Sequence, residues 1–590
     1  MVMRTYFKAS IRMFKKHFTK FISISFIILI SIGLIFGVVA SPSKVNDSVT
    51  KYYLDSNVSD LLVKSTKLTG FTKVEIDKIK DMYGSDNVMV SSSFDIENSG
   101  EVTRYHYLDL DNININKLEL IEGEYPKDDT EVLVERSTSF LKEYEVGDTI
   151  LYNNIVYTIS GIVINPYYFQ KLEEPSFLED KDLTTIVYLN INDYIPINDI
   201  YLSLKDKADL NNMDDSYKKI INKEKRNIDS NLADITILSL YENISFYKLF
   251  TVTEKINVIA LVLLVGFICV SGLVVLSTMS RLTYEEMHEI GCLETLGYSN
   301  HLINLRYILF AFFSTLIGGL FAYLVGVFLT SVIYYNFEAI FDMPLMIKRV
   351  ESTYYFVNLF ILIVSTLGVT IYTSYKITSV LPAYVFKKNA PRKGKKTIIE
   401  HIPIIWNHLS FKYKSSLRNL LRYKKHFFMT VISIMGSTIL VFLGIGLFSY
   451  SLHDELLGDA LAFICGLILI FAALLTILVI YTLTNINISE RYKEIATLMV
   501  LGYYNREVTG YIYREIYIMC FIGMIIGLPL GHISLEGLFQ LLDFGNMSEV
   551  SVYVYLITPL MIMIFTIAIS LILRRKIVSI KFSEALKEVE

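Results

Sequence analysis

Two stretches of this chain carry the same polar residues at the same spacing, and they are where recognition or chemistry would be sought first. Glu285-Glu286-Met287-His288-Glu289-Ile290-Gly291-Cys292-Leu293-Glu294-Thr295-Leu296-Gly297-Tyr298 recurs as Glu490-Arg491-Tyr492-Lys493-Glu494-Ile495-Ala496-Thr497-Leu498-Met499-Val500-Leu501-Gly502-Tyr503. Matched positions such as Glu289 and Glu494, or Gly297 and Gly502, are always 205 residues apart. On a helix, Glu285 with Glu289 and Glu490 with Glu494 each share one face, being four apart. Leu282, Ile290, Leu293 and Leu296, like Ile488, Ile495, Leu498 and Leu501, fall on one side at helical spacing. Gly297 and Gly502 stand where a helix ends and the chain turns. One reading is a plain connector whose charges pair internally, as Glu490 with Lys493. The other is a docking surface for a partner that is itself symmetric. A bilayer requires no particular glutamate spacing in its loops, so duplication in register favours the partner.

Catalysis finds little support. No Gly-x-x-x-x-Gly-Lys-Ser/Thr occurs, and Gly394-Lys395-Lys396 lacks both the upstream glycine and the hydroxyl residue. No His/Cys cluster has metal-ligand spacing, no glycine-rich strand-to-helix turn suggests a nucleotide site, and the nine histidines are scattered. Catalytic residues, a metal, a cofactor bound by this chain and a nucleic-acid partner are therefore not expected.

The elements that must position the repeated stretch are membrane spans. Of 590 residues, 53% are apolar and 19% charged. Apolar runs long enough to cross a bilayer, which takes about 20 helical residues, lie near 18–40, 256–279, 307–334, 354–378, 427–450, 460–484, 511–533 and 552–573. Val38-Val39-Ala40-Ser41-Pro42 resembles a signal cleavage site, but the run before it is too long for a signal core and reads as an uncleaved span. Arg4, Lys8, Arg12, Lys15, Lys16 and Lys20 precede that run without an acid, which places the N-terminus in the cytoplasm. Alternation then puts 379–426 inside too; it holds twelve Lys and Arg against the single acid Glu400. The C-terminus, with Arg574, Arg575 and Lys576 at the membrane edge, is also inside. Ile, Asn, Lys and Tyr richness suits an AT-rich bacterial genome, so the expected location is a bacterial cell membrane.

The expected fold is α-helical and membranous, with eight transmembrane helices as two four-helix repeats plus an extracytoplasmic α+β domain. Residues 1–40 form the cytoplasmic N-terminus and first span, and 41–250 the outer domain. Residues 251–378 complete the first repeat, 379–426 are a basic linker, and 427–590 form the second repeat. In the outer domain, Glu131–Glu135, Ile155–Ile164 and Thr184–Leu189 read as strands from their β-branched content. Thr72–Tyr83, with Val74, Ile76, Ile79 and Met82 apolar, and Lys205–Asn227 read as helices. The domain holds no cysteine; Cys269, Cys465 and Cys520 lie in spans and Cys292 in a short loop. Lys15-Lys16-His17-Phe18 parallels Lys424-Lys425-His426-Phe427, and Ser379–Ala383 parallels Ser579–Ser583. Ile402–Phe411, containing the only tryptophan, Trp406, suits either a surface-lying segment or a solvated linker.

Ser489 to Tyr503 closely resembles the cytoplasmic motif of FtsX-like/MacB-type ABC transporter permeases; the first copy departs from it with His288 and Gly291-Cys292. Leu120-Ile121-Glu122-Gly123-Glu124-Tyr125-Pro126, Glu131–Val134, Val146–Ile150 and Tyr157–Val163 look like the MacB-type extracytoplasmic core domain. The resemblance implies coupling helices docked into clefts of a cytoplasmic ABC ATPase dimer, which would use ATP and Mg. It also implies mechanotransmission, in which closure below moves the long helices and the domain outside. By carry-over, Glu285, Glu289, Gly297, Glu490, Glu494 and Gly502 are the ATPase-coupling residues. Fusion of two units would let one chain supply both halves of a pseudo-dimer.

Ion-coupled transport usually needs charges deep in the spans, whereas here Arg514 and Glu515 lie near a cytoplasmic end and Glu254 and Lys255 at an outer edge. The expected work is export of, or resistance to, an antimicrobial peptide or a lipid-like or lipoprotein substrate. The alternative is a signalling subunit that activates a cell-wall hydrolase, or a receptor. An extracytoplasmic protein or peptide is a further candidate partner beside the bilayer. Substrate contacts stay unassigned: Tyr105-His106-Tyr107 and Tyr167-Tyr168-Phe169 suit aromatic recognition, and suit strand and loop packing better.

Overall fold

The computed structural model describes residues 2–578 except 99, 137–143, 169–175, 179–180, 182, 193, 205–214, 339–340, 345, 347–351, 380–407, 409, 423, 454–457 and 543–544. Trp406, the Ser379–Ala383 and Ser579–Ser583 parallel, nearly all of Ile402–Phe411 and the stretch 205–214 fall largely or wholly outside the described residues. Eight helices among those described are long and apolar enough to cross a membrane, in agreement with the expected fold class. The chain divides into two units, one of Met1–Ala40, Ile256–Thr330 and Glu351–Glu590, the other of Ser41–Lys255 and Ser331–Val350.

Among the helices, α1 (Val2–Lys16) precedes α2 (Phe18–Asp55), and α5 (Ile244–Glu285), α6 (Met287–Thr295), α7 (Asn300–Phe337) and α8 (Ser352–Thr378) complete one repeat. The second is α9 (Phe411–Arg422), α10 (Lys424–Ser451), α11 (Gly458–Glu490), α12 (Tyr492–Val500), α13 (Asn505–Leu542) and α14 (Val554–Val578). Both ends of α6 and α7 recur in α12 and α13 after 205 residues. Glycines let the paired spans approach closely, the small-residue device of packed membrane helices. A Cβ on Gly326 would lie 2.2 Å from Phe36 Cδ1, and one on Gly531 2.9 Å from Phe442 Cγ. Phe36 and Phe442 are 406 residues apart, as are the starts of α2 and α10. The two Lys-Lys-His-Phe tetrapeptides are 409 apart and so miss structural equivalence by nearly one helical turn. Both directly precede an apolar span, as expected, but Lys15-Lys16 closes α1, whereas Lys424-Lys425 opens α10.

Several helices outrun the expected spans. Helix α2 has 38 residues and continues through Pro42, and α5 has 42, both well beyond the roughly 20 a bilayer needs. Within the stretch expected to be a linker, α9 is an ordered counterpart of α1. The repeats pack on each other through α5 and α10, where a Cβ on Gly266 would meet Leu440 at 2.8 Å and one on Gly436 would meet Val270 at 2.9 Å.

The second unit is α+β. Its sheet has the strands β1 (Leu61–Ser65), β2 (Val88–Asn98), β3 (Glu101–Leu108), β4 (Glu119–Gly123), β5 (Glu131–Glu135), β6 (Thr149–Tyr152), β7 (Ile155–Ile164), β8 (Thr185–Asn190), β9 (Asp199–Leu202) and β10 (Ile235–Ser239). They run in the order β10-β1-β9-β2-β3-β8-β5-β7-β4, with β6 paired to β7. Helices α3 (Lys73–Tyr83) and α4 (Asp215–Asp229) cover one half: Ile76, Ile79, Tyr217 and Ile221 pack on Leu61, Val63, Ile200 and Leu202. Thr72 caps α3 in a reciprocal box with Glu75. Of the four apolar positions of this helix, Ile76 and Ile79 face the core, while Val74 is 77% exposed and Met82 lies at the rim. The second half has its own core of Tyr105, Tyr107, Val132, Val134, Ile159 and Val187.

Candidate functional site

The repeated stretch is not one continuous helix. Helix α5 ends at Glu285, the backbone leaves helical geometry at Glu286 (φ −88°, ψ 6°), and the short α6 begins at Met287. Arg491 makes the same break between α11 and α12 (φ −100°, ψ 14°). Each short helix then closes in a Schellman turn. Gly297 N–H donates to Glu294 O and Tyr298 N–H to Leu293 O; Gly502 N–H donates to Met499 O and Tyr503 N–H to Leu498 O. The turns need φ +88° at Gly297 and +90° at Gly502, and open space surrounds both.

The break alters the expected faces. Glu285 belongs to α5 and meets Lys20 Nζ at 2.5 Å, whereas Glu289 belongs to α6 and accepts from Arg306 Nη1 at 2.9 Å. Glu285 and Glu289 therefore belong to different helices, on either side of the break at Glu286. Glu494 is exposed on α12; the Glu490 side chain lies outside the described set. The apolar stripe is likewise split. Leu282, Ile290, Ile488 and Ile495 are buried, but Leu296, 75% exposed, and Leu501, 70% exposed, are not. Each leucine immediately precedes its turning glycine, so the chain reversal carries it off the packed side.

Sequence reasoning passed over the residues that hold these helices. Glu286 is fully buried. Its Oε1 accepts from Lys16 Nζ at 3.0 Å and lies 2.8 Å from His17 Nε2, and its Oε2 accepts from Arg306 Nη2 at 2.9 Å. Burial alone would raise this carboxyl, but the hydrogen bonds from His17 and Lys16 and the Arg306 charge outweigh it and hold it down at about 2. In the second repeat the matched residue is a base: Arg491 pairs with the buried Glu515 of α13, which also accepts from Asn419 Nδ2 of α9 at 3.2 Å. The same junction is clamped to the same neighbouring helices with reversed polarity. Opposite charges at the matched positions 286 and 491 were the signal available in the sequence. Beside the first junction, a cavity of about 390 Å³ is lined by Lys8, Arg12, Lys16, Glu289 and Arg306.

The aromatic candidates of the inserted domain are packing residues. Tyr105, His106, Tyr107, Tyr167 and Tyr168 are buried, with Tyr105 stacked on Tyr152 at 3.8 Å between centroids; Phe169 lies outside the described set. No group of three or more His, Cys, Asp or Glu residues among the described residues is placed to hold a metal ion.

Eight spans in two matched sets, each with a short helix clamped between its second and third span, define a multi-pass membrane protein built by duplication. The family model for the FtsX-like permease C-terminal domain matches residues 261–382 and 466–582. The two matches start 205 residues apart, the shift of the repeat. The chain thus carries two segments that match the FtsX-like permease C-terminal domain, which supports a membrane component of the ABC-transporter type. No curated protein matches the chain.

Proposed function

We infer that this chain is the transmembrane subunit of a mechanotransmitting, type VII ABC complex in a bacterial cell membrane, with both termini cytoplasmic. The observation that carries the reading is the duplicated tip: Leu296-Gly297 and Leu501-Gly502 project unburied from short helices that are otherwise clamped in place. Four spans separate the tips, so both lie on one side of the membrane, as a two-fold ATPase requires. Glu289, Glu494 and the exposed leucines would contact the ATPase, which would supply ATP and Mg chemistry. Glu285 would act indirectly, through Lys20 of α2.

The inserted domain is read as MacB-like and extracytoplasmic, since the resembling stretches fall in order on β4, β5, β6 and β7. Its target is an amphipathic peptide or a lipid-like molecule. With the tyrosines buried, the apolar surface available for it includes the β6–β7 hairpin, where Leu151 and Val156 pair across the strands and are both exposed.

The test is ATP hydrolysis by the purified complex of chain and ATPase. Glu289→Lys/Glu494→Lys and, separately, Leu296→Asp/Leu501→Asp should lower permease-dependent hydrolysis by about tenfold or more, a loss of ~1.4 kcal/mol of coupling. Thermal unfolding of the chain should be unchanged in the leucine variant, whose sites touch solvent. An ATPase that fails to co-purify with wild type, or unchanged coupling in both variants, rejects the reading.

A further inference from the structure

Helix α1 presents two unlike long sides. One borders the basic cavity beside Glu289. The other borders an open groove of about 740 Å³ against α7, walled chiefly by Ile11, Phe14, Phe18, Phe21, Leu305 and Phe313. Ile11 and Phe18 are each 56% exposed, and Leu305 and Phe313 are exposed on the adjoining face of a membrane span. The groove is therefore continuous with surface that hydrocarbon covers. No carboxylate lines it; its charged groups are Lys15 and Arg306. Arg306 is taken up by Glu286 and Glu289. Lys15 makes no ion pair among the described residues, unlike Lys16 and Lys20; Lys8, two turns earlier and equally without one there, stands at the border between the groove and the basic cavity that it lines. The second repeat places Leu421 and Lys424 at the positions of Lys15 and Phe18, so the arrangement belongs to the first repeat alone.

We propose that this groove is a binding site for one anionic phospholipid, its acyl chains against the phenylalanines and its phosphate on Lys15 and Lys8. Charge complementarity selects the occupant: ammonium groups that meet no carboxylate among the described residues, at the rim of an apolar groove, suit a negative headgroup with chains running down the span. A neutral lipid would leave the lysines unmatched. An acidic peptide would leave most of the wall uncovered.

Full-length chain in phosphatidylcholine vesicles supplies the test, with a single fluorescent reporter in the groove created by Trp406→Phe and Phe313→Trp. Brominated phosphatidylglycerol should quench the emission of that reporter several-fold more effectively than brominated phosphatidylcholine at equal mole fraction. Lys8→Gln/Lys15→Gln should remove that preference, about fivefold per lysine, whereas Lys8→Arg/Lys15→Arg should retain it. Phe18→Trp gives a second reporter at an exposed position should the Phe313 variant fail to fold. Equal quenching by the two lipids overturns the proposal, as does a preference that survives the glutamine variant or a reporter that neither lipid reaches. None of these outcomes depends on an ATPase.

Discussion

Glu286 and Arg491 occupy one place in the two repeats with opposite charge, and the surroundings determine what each tolerates. Glu286→Gln leaves Arg306 buried beside a neutral amide and should cost ~3 kcal/mol, read from thermal unfolding of the purified chain. Reversing the second pair, Arg491→Glu with Glu515→Arg, keeps opposite charges beside Asn419 and Tyr511, with Glu494 the one further charge acting on both among the described residues, and should recover part of what either single change loses. Reversing the first pair, Glu286→Arg with Arg306→Glu, sets an arginine against Lys16 and His17 and should recover little. The pH dependence follows from the depressed Glu286 pKa. An unfolded glutamate titrates near ~4.3, so the stabilisation is complete above that value and fades as pH falls toward about 2. Acid unfolding of wild type against Glu286→Gln checks it: the gap between them should narrow below about pH 4 and close near about pH 2.

At the scale of elements, glycine has two separable jobs. Gly297 and Gly502 provide a left-handed turn in open space, so alanine there costs backbone strain alone, ~1 kcal/mol each. Gly326 and Gly531 provide room for a phenylalanine of the facing span. Alanine there forces Phe36 or Phe442 to shift and should cost about 1–3 kcal/mol. Thermal unfolding of the four single variants distinguishes the two jobs. The turn variants should also blunt ATPase coupling more than their small loss of stability suggests, because they re-aim Leu296 and Leu501. The packing variants should affect stability first.

The whole molecule brings two short helices into one unit, with the repeats packed through α5 and α10. On the proposed function, a chain so built would supply both docking sites for a two-fold ATPase. Native mass spectrometry of the purified complex should therefore give one copy of this chain to two ATPase subunits. Two chains to two ATPases would mean that one short helix of each chain is left unused.

The periodicity of apolar residues, the basic flanks and the 205-residue repeat were enough to read eight spans, the duplication and the FtsX-like kinship. All of these are local or self-similar patterns along the chain, and hydrocarbon imposes them span by span. Tertiary structure decided the rest. That Glu285 and Glu289 fall on different helices depended on a break at Glu286 that no propensity marks, since an interior glutamate suits a helix well. Which glutamate is buried depended on Lys16, His17 and Arg306 arriving from α1, the turn beyond it and α7, up to 270 residues away in the chain. Which of two plausible registers relates α2 to α10 depended on glycine cradles that take Phe36 and Phe442. Burial of the tyrosines, and the groove along α1, are likewise products of packing between elements, which sequence spacing alone leaves open.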